Sequence, residues 1–342
     1  MILVTGGTGM LGSHLLFKLV QGGESLRATK RKSSNMDQVR KIFSFYCSNP
    51  DELFSRIEWV DSDILNTESL NEVISGIEKV YHAAAMVSFN PADKYKMINN
   101  NVKGTANVVN ACLLANVKKL CHVSSVSALG HADSNALTDE ETFRNPKGYY
   151  SGYSISKFRS ELEVWRGITE GLNAVIVNPS IILGPGDWRS GSPGIFSNIH
   201  KGIKFYTKGI TGYVDVWDVV KSMMELMNSN IQSERFIVSC DNVSYREMFS
   251  MVADALKVKK PSVYANSFLL GMAWRFDSVR SKLAGDIPFI TKEMVYSAKR
   301  TTLFSSKKLI DELNFKYTPV QESIIKIADI FEKHELNNGV SK

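Results

Sequence analysis

Residues 1–20 read MILVTGGTGMLGSHLLFKLV. A short apolar run, Ile2 to Thr5, meets four glycines within residues 6–12, and a helical apolar pattern follows. Strand, glycine turn and helix in that order are the setting of a dinucleotide fingerprint. Gly6 is expected to make the tight turn, Gly9 to let a pyrophosphate approach bare backbone, and Gly12 to let the helix pack closely. Thr8, Met10 and Leu11 complete the candidate cofactor-binding turn. The pyrophosphate would sit at the helix N-terminus, where unpaired N–H groups and the dipole favour an anion. The spacing is GxxGxxG rather than GxGxxG.

The pattern continues beyond this stretch. Apolar runs ILVTG, SLRAT, RIEWVDSD, KVYHAAA, KLCHVSS and NAVIVNPS alternate with helical stretches such as TESLNEVISGI and VKGTANVVNACLLANV. Such alternation predicts an α/β fold with a doubly wound parallel sheet, and ligand sites at the C-terminal strand edge. After Gly184 a Gly/Pro/Ser-rich loop, GPGDWRSGSPG, breaks the rhythm. The expected division is a Rossmann domain over 1–183 plus 214–239 and a smaller, mainly helical substrate-binding domain over 184–213 plus 240–332. A frayed tail is expected over 333–342. GYVDVWDVVKSMMELM reads as a return to the main sheet with a covering helix, and Ser244 with Glu247 reads as a capping box.

Composition narrows the function class. Apolar residues make up 44% and charged residues 22% of the 342, as in a soluble globular chain. No apolar run reaches the length of a membrane span, and glycines interrupt the N-terminal one, so a cytoplasmic protein without a signal peptide is expected. Cys47, Cys112, Cys121 and Cys240 are scattered without CxxC spacing, and no HExxH occurs, so no metal is expected. The net charge of +6 reads as dispersed surface charge, apart from RATKRK, so neither nucleic acid nor membrane is expected as a partner.

The second strand bears on the choice of dinucleotide. An NAD site places a carboxylate at its end to hold the ribose 2′-OH. Here SLRAT is followed by Lys30 and Arg31, with no carboxylate before Asp37. Cations there suit a 2′-phosphate, so NADP is expected over NAD; the plainer alternative is a solvated strand end. Asp63 either accepts from the adenine amino group or caps the helix starting near Thr67. Ala83, Ala84 and Ala85 let backbone approach the cofactor, or else pack a helix on the sheet.

Farther along, Tyr153 and Lys157 stand four residues apart, on one helical face. A phenol titrates near about 10, too high for a base at neutral pH. The ammonium, together with a positive nicotinamide, would lower it and let Tyr153 pass a proton to or from a carbonyl oxygen. Lys157 would also bond the nicotinamide ribose. Ser124, Ser125 and Ser127 end the fifth strand; one of them could polarise the carbonyl, or each could bond its own turn.

Taken together, TGGTGMLG, HAAA, NVKGT, VSSVSALG, YSISK and NPSIILGPGD resemble the extended short-chain dehydrogenase/reductases, the NAD-dependent epimerase/dehydratase superfamily. The motifs stand in family order over about residues 1–190. LRATKR, HAAAMVSFNP and VNPSIILGPGD look like the dihydroflavonol-reductase-like branch, which usually uses NADPH. Aligning the strand-five motif at Gly130 implies that Ser125 is the catalytic serine, beside Tyr153 and Lys157. The resemblance further implies that Asp63 and Ile64 hold adenine, Arg31 the 2′-phosphate and Pro179 the nicotinamide amide. Asn101 is read as structural support that secures the helix entry near the active site, the alternative being a catalytic part, and a homodimer through two sheet-flanking helices is common in the superfamily.

The chain also departs from its relatives. Where sugar-nucleotide enzymes read RPxNxYGP, it has NPSIILGP, with Asn178 for the arginine, Ile181 for the asparagine and Leu183 for the tyrosine. Gly130 stands where plant flavonoid reductases carry an asparagine. Candidate pocket residues are Met86, Val87, Phe89, Trp188, Phe196, Phe205 and Tyr206, which suit an apolar carbonyl or alcohol substrate. An NADP(H)-dependent carbonyl reductase or alcohol dehydrogenase is expected. A sugar-nucleotide epimerase or dehydratase and a non-catalytic nucleotide sensor are the alternatives.

Overall fold

The structure, a computed structural model, describes residues 1–88, 90–132, 136–284 and 291–336. Strand β1 (Ile2–Thr5) leads through the glycine turn into α1 (Met10–Gln21), then β2 (Leu26–Lys30), α2 (Met36–Ser44), α3 (Pro50–Ser55) and β3 (Ile57–Asp61). Next come α4 (Thr67–Ile74), β4 (Lys79–His82), α5 (Lys94–Leu114), β5 (Lys119–Val123), the short β6 (Leu137–Thr138), α6 (Gly152–Thr169) and β7 (Ala174–Pro179). β8 (Ile181–Leu183), α7 (Pro193–His200), β9 (Phe205–Tyr206), β10 (Ile210–Asp215), α8 (Val216–Asn228) and β11 (Glu234–Val238) follow. The chain ends with β12 (Asp241–Ser244), α9 (Tyr245–Ala255), β13 (Val263–Tyr264), α10 (Ser267–Ala284), α11 (Lys292–Lys299), β14 (Leu303–Phe304), α12 (Lys307–Leu313) and α13 (Val320–Phe331).

Seven strands form one sheet in the order β11-β7-β5-β4-β1-β2-β3, every pairing parallel. The order reverses at β1, so the crevice beyond its C-terminal end is a topological switch point. β1 and β7 are buried along their whole length, as strands covered on both faces must be. Side chains alternate accordingly: Ile2 and Val4 join α1, α2 and α8 on one face, while Leu3 joins α4, α5 and α6 on the other. The six strands read from the sequence are all present. The seventh, β11, was not among them; its apolar core is only Phe236 to Val238, too short a pattern to stand out.

The second unit differs from expectation in one respect. Tyr213 to Asp215 do not return to the main sheet; they belong to β10, in a separate three-stranded sheet of order β12-β10-β8. Only α8 covers the main sheet. Asp215 ends β10 and caps α8, accepting the Trp217 N–H at 2.7 Å, so the chain changes sheets at a single capping carboxylate. The core of this unit gathers Trp188, Phe196, Met248, Val252, Ile324 and Phe331. The capping box of α9 is present, Ser244 and Glu247 each satisfying the other's backbone. Residues 333–336, expected to fray, continue into a π-helical turn, with Glu335 paired to Lys41 and the His334 ring 4.8 Å from Phe45. The remainder of the tail, 337–342, lies outside the described residues.

Candidate active site

The glycine turn is built for contact with backbone. Gly6 has φ +75°, a left-handed conformation, and a Cβ there would stand 2.5 Å from the Ala84 nitrogen. A Cβ on Gly12 would stand 2.2 Å from the Gly6 oxygen, so α1 rests directly on the turn. Gly9 meets nothing closer than 3.5 Å and is exposed, and as N-cap of α1 it offers no side chain to the first helical N–H groups. Bare donors at an exposed helix start suit a pyrophosphate, so the residues present fit a dinucleotide. Thr8 and Met10 are half-buried beside Gly9, while Leu11 is turned into the core.

The other candidate cofactor residues fall on the same sheet edge, in the order of the strands. Asp63 and Ile64 follow β3, Lys30 and Arg31 end β2, the glycine turn ends β1, Ala83 to Ala85 follow β4, and Pro179 ends β7. Their situations differ. Lys30 is paired with Asp61, opposite it on β3, at 2.5 Å. Arg31 is exposed, and no partner of its guanidinium is found among the described residues. Asp63 neither caps α4, which Asn66 does, nor stays free, since it accepts the Leu65 N–H at 2.9 Å. Ile64 lies on Gly104, where a Cβ would be 2.4 Å away, and its carbonyl accepts from Asn107 at 3.0 Å.

Ser125, Tyr153 and Lys157 converge at the end of β5. Ser151 caps α6 and presents Tyr153 and Lys157 toward that strand end. The Ser125 hydroxyl is hydrogen-bonded to the Tyr153 phenol and accepts the Ser127 N–H at 3.1 Å. Ser124, one residue earlier and so on the opposite side, donates to Glu161 at 2.7 Å. Burial pushes the phenol of Tyr153 upward, and the Ser125 hydrogen bond draws it part of the way back. The Lys157 ammonium donates to the Val123 carbonyl at 2.9 Å, and burial lowers it to about 8, with Glu161 opposing.

The sequence did not single out Glu161 or Arg144 as neighbours of this site. Glu161, 2% exposed, accepts from Ser124 and from Asn178 at 2.8 Å through one oxygen. Its other oxygen takes Arg235 at 3.1 Å and Trp165 at 3.3 Å. It stands four residues beyond Lys157, and that spacing was the available signal. Asn178 also donates to the Ser125 carbonyl at 3.1 Å, so the residue replacing the arginine braces the serine's backbone. Arg144 donates to the carbonyls of Ser127 and Ala128 and to Ser154, with its guanidinium 3.6 Å from the Tyr150 ring centre. Asn101 clasps both backbone groups of Met86 and donates to Ser156 at 2.7 Å.

The proposed apolar pocket is revised. Trp188 and Phe196 are core of the second unit, against Phe331 and Ile199. Phe205 and Tyr206 form the β9 ribbon with β13, and Phe89 lies outside the described residues. Met86 and Val87 remain at the strand-four edge. Tyr149 and Tyr296, with rings 4.8 Å apart, stand at the start of α6, where the Gly152 N–H donates to Glu293 at 3.0 Å.

Known proteins share this arrangement. A family model described as the NAD dependent epimerase/dehydratase family matches residues 2–238. Sterol demethylase protein B of Methylococcus capsulatus is 28% identical over 261 residues, covering 76% of this chain and 75% of that protein. Cinnamoyl-CoA reductase 1 of Petunia hybrida is 26% identical over 348 residues, covering 98% and 93%. The crystal structure of gox2253 superposes with a TM-score of 0.81 at 29% identity, covering 98% of each chain. The match spans the main sheet from β1 to β11, and the chain belongs to the NAD dependent epimerase/dehydratase family, NAD(P)-dependent oxidoreductases of the extended short-chain dehydrogenase/reductase type.

Proposed function

We propose that the protein is an NADP(H)-dependent reductase of a ketone or aldehyde carried on a small apolar body, or the corresponding alcohol dehydrogenase. The carrying observation is the meeting of Ser125, Tyr153 and Lys157 at the end of β5, two strands from the glycine turn. Bound along the strand ends, the nicotinamide dinucleotide supplies or takes up the hydride. The residues handle the oxygen. Ser125 donates a hydrogen bond to the carbonyl oxygen, and Tyr153 hands its phenolic proton to that oxygen as the C–H bond forms. Lys157, one helical turn beyond Tyr153 and held against the Val123 carbonyl, supplies the positive charge that stabilises the phenolate left behind.

NADP rather than NAD is supported by the contrast between two adjacent cations. Asp61 neutralises Lys30, whereas Arg31 keeps its five donors for an anion. Buried Asn178 in place of an arginine favours the reductase reading over a sugar-nucleotide enzyme. The reductase relative named for cinnamoyl-CoA, and the relative named for sterol demethylation, favour a carbonyl on an apolar body.

The test is nucleotide oxidation across a panel of apolar ketones and aldehydes. Tyr153→Phe is expected to lower kcat/KM by roughly 10²–10⁴ while NADPH binding is kept. Equal rates for the variant and the wild type would remove Tyr153 from the proton transfer.

A further inference from the structure

Among its described residues, helix α10 carries an apolar stripe on its exposed side. It buries Asp277 and Ser281, at 8% and 2% exposure, yet leaves Phe268 at 73%, Met272 at 54% and Phe276 at 76%. These three residues are four apart, so they form one stripe, with Leu269 at 40% beside it. The strip β9–β13 leading into the helix is likewise wet on Phe205, Val263 and Tyr264. Bulky apolar side chains left in water forgo the free energy that burial would supply. A stripe of them marks an interaction surface rather than a packing accident.

Charge identifies the partner. Between Lys257 and Arg300 the sequence holds nine lysines and arginines and three acidic residues, a net of +6, equal to that of the whole chain. The rest of the protein is therefore neutral in sum, and the net charge taken above as dispersed is carried by the segment of sequence that contains this helix. Lys259, Arg275, Lys292 and Lys299 are exposed, as is Lys260, which is paired with Asp254 at 2.7 Å, and Arg275 stands 4.8 Å from the Trp274 ring beside the stripe. A second copy would meet this segment with the same positive charge, and a continuous helical stripe of Phe, Leu and Met matches acyl chains rather than the polar edges and phosphates of nucleic acid. An anionic lipid surface satisfies both features at once.

We propose that α10 docks this protein on an anionic membrane surface. Phe268, Leu269, Met272 and Phe276 enter the boundary between headgroups and acyl chains, and the surrounding cations meet lipid phosphates. The helix lies on the bilayer and does not cross it; among the described residues no helix is long and apolar enough to span. Through α11 the docked face connects to α6, by Glu293 to Gly152 and Tyr296 to Tyr149. Docking therefore sets the candidate site beside the phase in which an apolar carbonyl compound dissolves. That consequence rests on the reductase reading; the docking does not.

The full chain would be co-sedimented with phosphatidylcholine vesicles and with vesicles that also contain phosphatidylglycerol. Binding to the anionic vesicles is expected to exceed the neutral ones by about tenfold or more, and to fall at high salt. Phe268→Glu with Phe276→Glu is expected to reduce it by about tenfold or more, at unchanged circular dichroism. Leu114→Glu, at a residue 74% exposed on α5, is expected to leave it intact. If the double variant fails to fold, Lys259→Gln with Lys260→Gln and Arg275→Gln supplies the same reading, again with a loss of about tenfold or more. Absent binding, equal binding to both vesicles, or no effect of the variants overturns the proposal. So does a dimer of the wild type that the Phe268 and Phe276 changes dissolve, since a second copy would then cover the face.

Discussion

Glu161 has no solvent to share its charge with, yet Ser124, Asn178, Trp165 and Arg235 all donate to it. Its electrostatic effect on Lys157 opposes the burial that lowers that ammonium to about 8. Replacing the carboxylate by the neutral amide in Glu161→Gln removes the opposing charge, so the ammonium loses its proton at a lower pH still. If turnover needs charged Lys157, the alkaline fall of kcat/KM begins at lower pH in the variant. A pH profile superimposable on the wild type would sever Glu161 from the chemistry. At the other end of the candidate cleft, Arg31→Ala is expected to weaken NADPH by about tenfold or more and to leave NADH unchanged. Titration of both nucleotides against wild type and variant checks it, and an equal loss for both would refute the 2′-phosphate role.

The turn between β1 and α1 shows how one missing side chain serves an entire element. α1 buries Leu15, Leu16, Leu19 and Val20 almost completely, each contributing about 1.5–3 kcal/mol. That packing brings its first turn down onto the Gly6 carbonyl. Gly12→Ala would place a methyl group where only 2.2 Å separates it from that oxygen. The element must tilt or the turn must open. The expected result is a lower Tm together with loss of NADPH binding, read by thermal unfolding with and without nucleotide. An alanine variant of wild-type affinity would show that the turn has more freedom than the packing implies. The second sheet depends on comparably short links: the chain leaves β10 for α8 at one carboxylate, Asp215, which also accepts from buried Ser323.

The molecule buries three histidines, His14 on α1 and His82 and His122 on the neighbouring strands β4 and β5. Burial lowers His14 to about 4 and His82 to about 3, and holds His122 well below its usual range. Each native value lies below the unfolded one near about 6.5, so the unfolded chain takes up protons first as pH falls. Stability is complete above about 6.5 and is lost on acidification, at about 1.4 kcal/mol per pH unit for each histidine. Asp218, raised to about 6 by burial, returns part of that loss below its own titration. Acid unfolding is therefore expected at mildly acidic pH. Among the described residues His122 has no hydrogen-bond partner at either ring nitrogen, so His122→Leu leaves nothing there unpaired on the protein side. It is expected to move the acid midpoint downward, followed by circular dichroism; an unmoved midpoint would exonerate this residue.

The sequence by itself determined whatever depends on neighbours along the chain. The strand–turn–helix start, six of the seven main strands, the capping box at Ser244 and the shared face of Tyr153 and Lys157 follow from periodicity and allowed backbone angles within one element. Only the tertiary structure decided which of two adjacent cations is neutralised, because Lys30 meets Asp61 across 31 residues through strand register. It likewise brought Arg235 to Glu161 across 74 residues, turned Trp188 and Phe196 into core, and left the apolar face of α10 in water. The physical reason is the range of the interaction. Backbone sterics and helical spacing act over a few residues and are written in order. Charge pairing and burial act through space, between segments whose separation in the chain says nothing of their distance in the fold.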